Sequence, residues 1–203
     1  MVMKKCPALE GLDYVPVTGG DDANLSFGVV RRQINNGPVQ TVPKAVLRRL
    51  NPGRKVDVAA PWIPHCYRWD VLLPPMAQDD CLDPKRLCER YEEQSGDILK
   101  DLIVMMTLRF PDADRLHVIW EEVRSFARER LCRERNLAVV AAFHLPAQIG
   151  STNPPHIHLM ALAKTMKSYG FCDYVRPLAA DAGKAIFAAE WADWQSGQGR
   201  GVG

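Results

Sequence analysis

Two apolar segments separated by a turn-rich loop constrain the fold of this 203-residue chain more than any other feature. The segments NLAVVAAFHL, residues 136–145, and HIHLMALA, residues 156–163, are rich in the small and branched apolar side chains typical of strands. Between them, PAQIGSTNPP contains the Gly, Asn and Pro residues that favour turns. The pattern predicts two strands that pair as an antiparallel hairpin.

Three of the chain's five histidines lie at the loop end of this hairpin: His144 in the first segment, and His156 and His158 in the second. Residues two apart in a strand point to the same face, so His156 and His158 project together and His144 can join them from the paired strand. Three neutral imidazoles suit a divalent metal ion and leave coordination positions open. A His-x-His pair alone also fits two half-exposed polar residues, and the third histidine favours the metal site.

The order of segments from residue 84 predicts an α+β fold. Helix, strand, helix, strand, strand and helix follow one another, which is typical of an antiparallel sheet with helices packed on it, here expected on one face. Asp83 and Pro84 open the first of these helices. Asp112 or Asp114 is expected to cap the second, and the last helix is expected to begin near Pro177.

The chain outside this core gives weaker patterns. Residues 1–65 are predicted to form a poorly defined N-terminal region because turn residues recur there, with a short basic helix over 42–50. Residues 69–75 fit a short strand ended by two prolines. The predicted organisation is therefore a domain over residues 66–195, preceded by the region 1–65 and followed by a disordered tail over 196–203.

Composition limits the setting in which the chain works. The formal net charge is only +2, so a nucleic-acid partner would need a local basic face. The six cysteines are scattered without a CxxC pair, which favours reduced thiols in a cytoplasmic protein. The N-terminus has no signal-peptide pattern, and the longest apolar run, LAVVAAFHL, is too short to cross a bilayer.

The segment 101–194 resembles the relaxase domain of mobilisation proteins of the MobA/MobL type, within the HUH endonuclease class. The class is named for two histidines that flank one apolar residue, as in HIH at 156–158. The preceding Asn153-Pro154-Pro155 matches the family's NPHxH opening with one extra proline, and His144 stands where the family has its third metal histidine. SYGFCDYVR and AAEWADWQ resemble later segments of the same domain.

This resemblance implies an HUH relaxase-like fold and a metal-dependent DNA strand transferase. Such an enzyme nicks one strand at an origin of transfer during conjugation or plasmid mobilisation and forms a 5′-phosphotyrosine. It implies a divalent ion on His144, His156 and His158, with Mg²⁺ or Mn²⁺ as first candidates and Zn²⁺ as a third. Single-stranded DNA and accessory relaxosome proteins are the implied partners.

The nucleophilic tyrosine is the main departure from the family pattern. The family places it in an N-terminal helix, commonly within AAAYR, and that phrase is absent here. Tyr67 keeps a following arginine and precedes His144 at a suitable separation, so it is the first candidate. Tyr14 is the second. Tyr91 lies beside two glutamates, and the last two tyrosines follow the histidines.

Two alternative functions fit parts of the sequence. The first is a DNA-binding accessory protein of a mobile element that does not cleave DNA. Arginines near residues 48–54 and 124–135 support this function, although glutamates around the second group could neutralise its charge. Three tryptophans could also stack on bases: Trp62, Trp69 and Trp120. The second is a cupin metalloenzyme, because Gly150 precedes HIH at the cupin spacing. The cupin glutamate is missing.

Overall fold

The computed structural model describes residues 15–16, 24–34, 36–96, 99–180 and 182–198; the side chains of residues 15, 16, 149 and 198 are not described. Tyr14, Cys6 and the end of the predicted tail lie outside these ranges.

One antiparallel sheet organises the described residues. In chain order its strands are β1 (Val15–Pro16), β2 (Leu25–Arg31), β3 (Arg68–Leu72), β4 (Asp101–Arg109), β5 (Leu137–His144), β6 (His156–Lys167) and β7 (Gly170–Tyr174). The spatial order is β1-β2-β4-β6-β5-β3, and β7 pairs with the far end of β6. The predicted hairpin is confirmed as β5 and β6, with His144 directly opposite His156.

Within the described ranges the sheet is accompanied by four α-helices: α1 (Val42–Leu50), α2 (Pro84–Ser95), α3 (Leu116–Phe126) and α4 (Ala182–Gln198). Short 3₁₀ turns span Asp79–Leu82 and Pro146–Ile149, and a π-helix over Ala127–Arg133 continues α3. The predicted cap of α2 is confirmed, because the Asp83 carboxylate accepts a hydrogen bond from the Arg86 N–H at 2.7 Å. The predicted cap of α3 is wrong: its N-cap is Arg115, with no side-chain hydrogen bond.

Helices cover both faces of the sheet, not one face as the sequence predicts. On the face covered by α1 and α2, called here the α1/α2 face, Val46, Leu87 and Tyr91 pack against strand residues such as Met105 and Met160. The opposite side of the sheet is called here the α3/α4 face. There α3, the π-helix and α4 pack against the alternate residues of the same strands, whose side chains point away from α1 and α2. The central strands are consequently apolar on both sides, and all eight residues of β5 are buried.

Described residues on both sides of the predicted boundary at residue 66 share one sheet and one core. β2 and α1 lie before it, yet β2 pairs with β4 along the strand and α1 contributes four residues to the α1/α2 core: Val42, Ala45, Val46 and Leu50. A segment beginning at residue 66 would lack one internal strand and α1, one of the two helices on the α1/α2 face. At the other end α4 continues to Gln198, past the predicted start of the tail at residue 196, and residues 199–203 are not described.

The sheet is open and covered by helices, which excludes the cupin barrel considered above. β3 forms one edge of the ladder and the short β1 the other. No helix among the described residues is long and apolar enough to cross a membrane.

Candidate metal centre

The hairpin register brings the three predicted histidines together at one end of the sheet. His144, the last residue of β5, faces His156, the first residue of β6. His158 lies between Ala142 of β5 and Thr107 of β4. Because residues two apart share a face, His158 lies on the same side as Met160, which belongs to the α1/α2 core. The cluster therefore forms where the α1/α2 core ends.

The imidazole rings are close enough to share one ion. One ligand nitrogen from each histidine can be chosen so that all three lie within 4.8 Å of one another. The ring centroids are 4.6 Å apart for His144 and His158, 4.9 Å for His156 and His158, and 5.1 Å for His144 and His156. Two nitrogens that bind one Zn-like ion at about 2.1 Å are separated by roughly 3–4 Å, so small ring rotations would suffice.

Hydrogen bonds on the outer side of the cluster decide which ring nitrogens stay available. His156 Nδ1 lies 2.9 Å from the Pro154 carbonyl and His144 Nε2 lies 2.5 Å from the Arg49 carbonyl. A carbonyl only accepts, so both nitrogens must donate. The nitrogens left free are His156 Nε2 and His144 Nδ1. This pattern, in which the second ring N–H is held by a carbonyl, is common among metal-bound histidines.

The third ring is held by a buried hydroxyl. Thr107 Oγ1 lies 2.8 Å from His158 Nδ1, and the threonine is only 4% exposed. His158 Nε2 therefore remains available for an ion. Together the three rings offer two Nε2 atoms and one Nδ1 atom as metal ligands. In each ring the other nitrogen already makes a hydrogen bond.

Burial and nearby cations keep the histidines neutral. Desolvation lowers the pKa of His144 to about 4, and the charges of His156 and Arg49 add to this effect. Desolvation also lowers the pKa of His156 and lowers that of His158 well below 6.5, with Arg49 and Arg109 contributing to both. Only neutral imidazole binds a metal ion, so at neutral pH the donors need not first release protons.

A cavity of about 350 Å³ opens onto two of the three histidines. His144 and His156 line it together with Tyr67, Arg54, Asn153 and Cys66. Tyr67 is 44% exposed and its ring packs edge-on against Phe143, with the centroids 5.4 Å apart. Burial raises the pKa of the Cys66 thiol to about 11, so this cysteine stays protonated. The cavity thus contains one exposed phenol beside the metal-type donors.

The other described tyrosines are poor alternatives to Tyr67. Tyr91, a residue of α2, is fully buried in the core, and desolvation raises its pKa. Tyr174 pairs across from Lys164, eight residues along β6 from His156, or roughly 26 Å in an extended strand. Tyr169, in the turn between β6 and β7, lies farther along still and is 70% exposed. Whether Tyr67 or Tyr14 acts as the nucleophile stays a prediction.

The arginines near residues 124–135 are largely neutralised, as the interpretation of a solvated helix face expects. Arg124 pairs with Asp70 and Glu121, Arg133 with Glu129, Arg130 with Glu134 and Asp193, and Arg135 with Glu190. Trp120 is 2% exposed and belongs to the core. Trp69 is 40% exposed and lies opposite Ala142, hence on the same face as His158.

The sequence reasoning missed three contributors to the site. Arg49 reaches His144 through its carbonyl, Thr107 holds His158, and Arg109 lies directly opposite His156. Only Thr107 had a visible signal, a single hydroxyl in the apolar run DLIVMMTLRF. The other two depend on which distant segment packs or pairs beside the hairpin.

Comparison with known proteins supports the architecture. One solved structure, from work on the molecular basis of vancomycin resistance transfer in Staphylococcus aureus, superposes with a TM-score of 0.53 at 21% sequence identity, over 65% of this chain and 69% of that one. This structure shares the fold, and the predicted α+β architecture of an antiparallel sheet with helices packed on it is confirmed. The conjugative relaxase TrwC, solved metal-bound with oriT DNA, gives a TM-score of 0.49 at 14% identity over 86% of this chain and 70% of that one. No protein-family model and no curated protein matches the chain.

Proposed function

We propose that the chain is a metal-dependent, single-strand DNA endonuclease of the relaxase type. One observation carries this proposal: a single cavity on a relaxase-like fold is lined by His144 and His156, which belong to a three-histidine cluster, and by the exposed phenol of Tyr67. Plasmid mobilisation or conjugation is the corresponding biological process, with DNA at an origin of transfer as substrate and relaxosome proteins as partners.

The donor set fits a divalent metal ion held by His144, His156 and His158. All three rings are neutral at pH 7 and each has one nitrogen fixed by an outer hydrogen bond. When bound, such an ion polarises a phosphoryl oxygen and neutralises charge that develops on it. Mg²⁺ and Mn²⁺ are the first candidates for the reaction, although three imidazoles would also accept Zn²⁺.

The charges around the cavity favour an anionic substrate. Arg54 lines the cavity, and Arg49 and Arg109 are close enough to lower the pKa values of the histidines. Arg109 also donates to Ser26 Oγ at 2.5 Å, which fixes its guanidinium beside the site. A phosphodiester bound there would be surrounded by positive charge on several sides, which stabilises the additional negative charge of the transition state.

In the proposed reaction the Tyr67 hydroxyl oxygen attacks phosphorus in line with the departing 3′ oxygen. The bond between the Tyr67 oxygen and phosphorus forms, the bond from phosphorus to the 3′ oxygen breaks, and the strand downstream of the nick stays on the tyrosine through its 5′-phosphate. The phenolic proton is lost and the 3′ oxygen leaves as a hydroxyl. The arginines hold the phosphate, and the packing of Tyr67 on Phe143 limits the positions that its ring can adopt.

A second candidate function is DNA binding without cleavage, and the position of α1 favours it. The C-terminal turn of α1 touches the cluster through the Arg49 carbonyl, so this helix lies where a residue could reach the metal. The family expects its nucleophile on an N-terminal helix, and α1, VPKAVLRRL, contains no tyrosine. If Tyr67 does not react, the cavity would still bind a phosphate without cutting the strand.

The deciding experiment is covalent capture of single-stranded DNA. The protein is incubated with a labelled single-stranded library of random sequence, with Mg²⁺, with Mn²⁺ or with EDTA, and denatured before electrophoresis. Wild type, Tyr67→Phe, Tyr14→Phe, His156→Ala and the distant control Tyr169→Phe are compared. A metal-dependent adduct that Tyr67→Phe and His156→Ala lose, and Tyr169→Phe keeps, is the expected result. Loss in Tyr14→Phe instead would move the nucleophile to residue 14.

Binding without any adduct in any metal would contradict the endonuclease proposal and support the second candidate. In that case the His156→Ala variant should bind the library more weakly than wild type in Mn²⁺ and equally in EDTA.

A further inference from the structure

A second cavity, of about 420 Å³, opens at the same end of the sheet as the histidines. Its walls are apolar and partly aromatic, and polar side chains stand at its rim. The apolar group comprises Leu108, Phe110, Pro111, Ile119 and Trp191, and the polar group Asn24, Arg109, Asp112, Asp114 and Gln195. A volume of this size lies in the range of pockets that hold small ligands.

The cavity and the histidine cluster lie on opposite faces of the sheet but meet at the end of β4. Arg109 lines the cavity and lies directly opposite His156 in the β4–β6 ladder. The next residue, Phe110, donates its N–H to the carbonyl of Pro155, which precedes His156, at 2.9 Å. Arg109 and His156 are adjacent residues of neighbouring strands, about 5 Å apart, so a DNA strand that passes round this end of the sheet would meet both sites.

We propose that this cavity binds one base of the same DNA strand whose phosphate lies at the histidines, and that it prefers cytosine over thymine. The inference rests on the proposed function. An aromatic wall accepts the flat face of a base, and side-chain carboxylates accept hydrogen bonds from the exocyclic amine of cytosine. Thymine has an oxygen acceptor at that position, which a carboxylate repels.

The charge distribution agrees with a base inside the cavity and a phosphate outside it. Asp112 and Asp114 are exposed at the rim, where they would repel a phosphate. Arg109 lies on the side towards the histidines, where the backbone of the strand would pass. Both aspartates are exposed, and neither is the N-cap of α3, which is Arg115. They can therefore be replaced with little effect on folding.

The test compares the binding of oligo-deoxycytidine and oligo-deoxythymidine of equal length by fluorescence anisotropy, in Mn²⁺ and at fixed salt. These pyrimidines differ at the exocyclic position that the aspartates would read. Wild type should bind the cytidine oligonucleotide at least about fivefold more tightly, the lower end of what one specific base contact contributes. Combined Asp112→Ala and Asp114→Ala substitution should reduce this ratio to near one.

The control variant combines Asp79→Ala and Asp173→Ala, which removes the same charge from exposed positions away from the cavity. The control variant should bind both oligonucleotides somewhat more tightly, because repulsion is reduced, and should keep the wild-type ratio. The cavity variant should lose the ratio, because the hydrogen bond to cytosine and the repulsion of thymine are both removed. Equal binding of the two oligonucleotides by wild type, or a ratio that survives in the cavity variant, would overturn the inference while the proposed function stands. Failure to bind either oligonucleotide would instead contradict the proposed function, and the inference with it.

Discussion

Thr107 fixes the ring of His158 through a single hydrogen bond of 2.8 Å, deep in the sheet. A hydroxyl is the smallest group that can do this in a strand whose neighbouring residues are all apolar. Replacing Thr107 with valine keeps the shape and removes the bond, whereas serine keeps the bond. Loss of such an outer contact typically costs 10–100-fold in metal affinity.

We therefore expect Thr107→Val to bind Mn²⁺ or Zn²⁺ about 10–100-fold more weakly than wild type, measured by titration calorimetry. Thr107→Ser should bind within a fewfold of wild type. Circular dichroism and thermal unfolding in EDTA serve as the check on folding. If Thr107→Val and Thr107→Ser weaken metal binding equally, the loss comes from altered packing, and the proposal that the Thr107 hydroxyl positions His158 is wrong.

Removal of one ligand tests the cluster itself. His156→Ala should abolish stoichiometric metal binding, because two imidazoles alone hold a divalent ion far more weakly. His117→Ala is the matched control, since His117 is exposed on α3 and away from the cluster. Full metal retention by His156→Ala, judged by equilibrium dialysis, would disprove the three-histidine site.

At the scale of elements, Glu92 of α2 connects the start of α1 with the segment that follows β2. One of its carboxylate oxygens accepts from the Val42 N–H, at the start of α1, at 2.6 Å, and the other accepts from Arg32 at 2.8 Å. α1 in turn reaches His144 through the Arg49 carbonyl. The position of α1 over the histidines thus depends on a carboxylate far from them.

Glu92→Ala should lower the free energy of unfolding by about 1–3 kcal/mol, because it leaves a partly buried N–H and a guanidinium without this acceptor. Glu89→Ala is the control on the same helix; its pair with Lys85, at 4.0 Å and partly exposed, should contribute about 0.5 kcal/mol or less. Urea unfolding in EDTA measures both. If both substitutions lower the free energy of unfolding equally, the contacts of Glu92 with Val42 and Arg32 stabilise the fold no more than an exposed ion pair does.

The same elements show how far sequence patterns reach. The β5–β6 hairpin and its histidine register follow from strand periodicity and a turn-rich loop, both local properties. β2 was missed because its LSFGVVR contains a glycine and follows a Gly- and Asp-rich stretch, although long-range pairing with β4 stabilises it. The contact between Arg49 and His144 joins residues 95 positions apart, and no local pattern encodes such a distance.

For the whole molecule, cover on both faces of the sheet explains why the donors of the candidate site are buried. α1 and the loop that follows it enclose the histidines from one side, and the sheet encloses them from the other. Desolvation is therefore the first cause of the lowered pKa of each histidine. Protonation of these histidines therefore affects both metal binding and the free energy of unfolding.

This linkage predicts an acid-sensitive fold in the absence of metal. The pKa of His144 is about 4 in the native state against 6.5 when exposed. Above pH 6.5 the histidine is neutral in both states. As the pH falls from 6.5 towards 4, the unfolded chain takes up a proton that the native state does not, so the free energy of unfolding decreases by up to about 1.4 kcal/mol per pH unit for each such histidine.

Urea unfolding in EDTA at pH values between 7 and 5 should therefore show a steady decrease in stability. His144→Gln should show a shallower decrease, because one proton-binding difference is removed, whereas His117→Ala should keep the wild-type slope. Saturating metal should raise stability most near pH 7, where protons do not compete for the imidazoles. A slope that is the same in His144→Gln and wild type would mean that His144 is protonated equally in both states, and burial by α1 could not then be the cause of its neutrality.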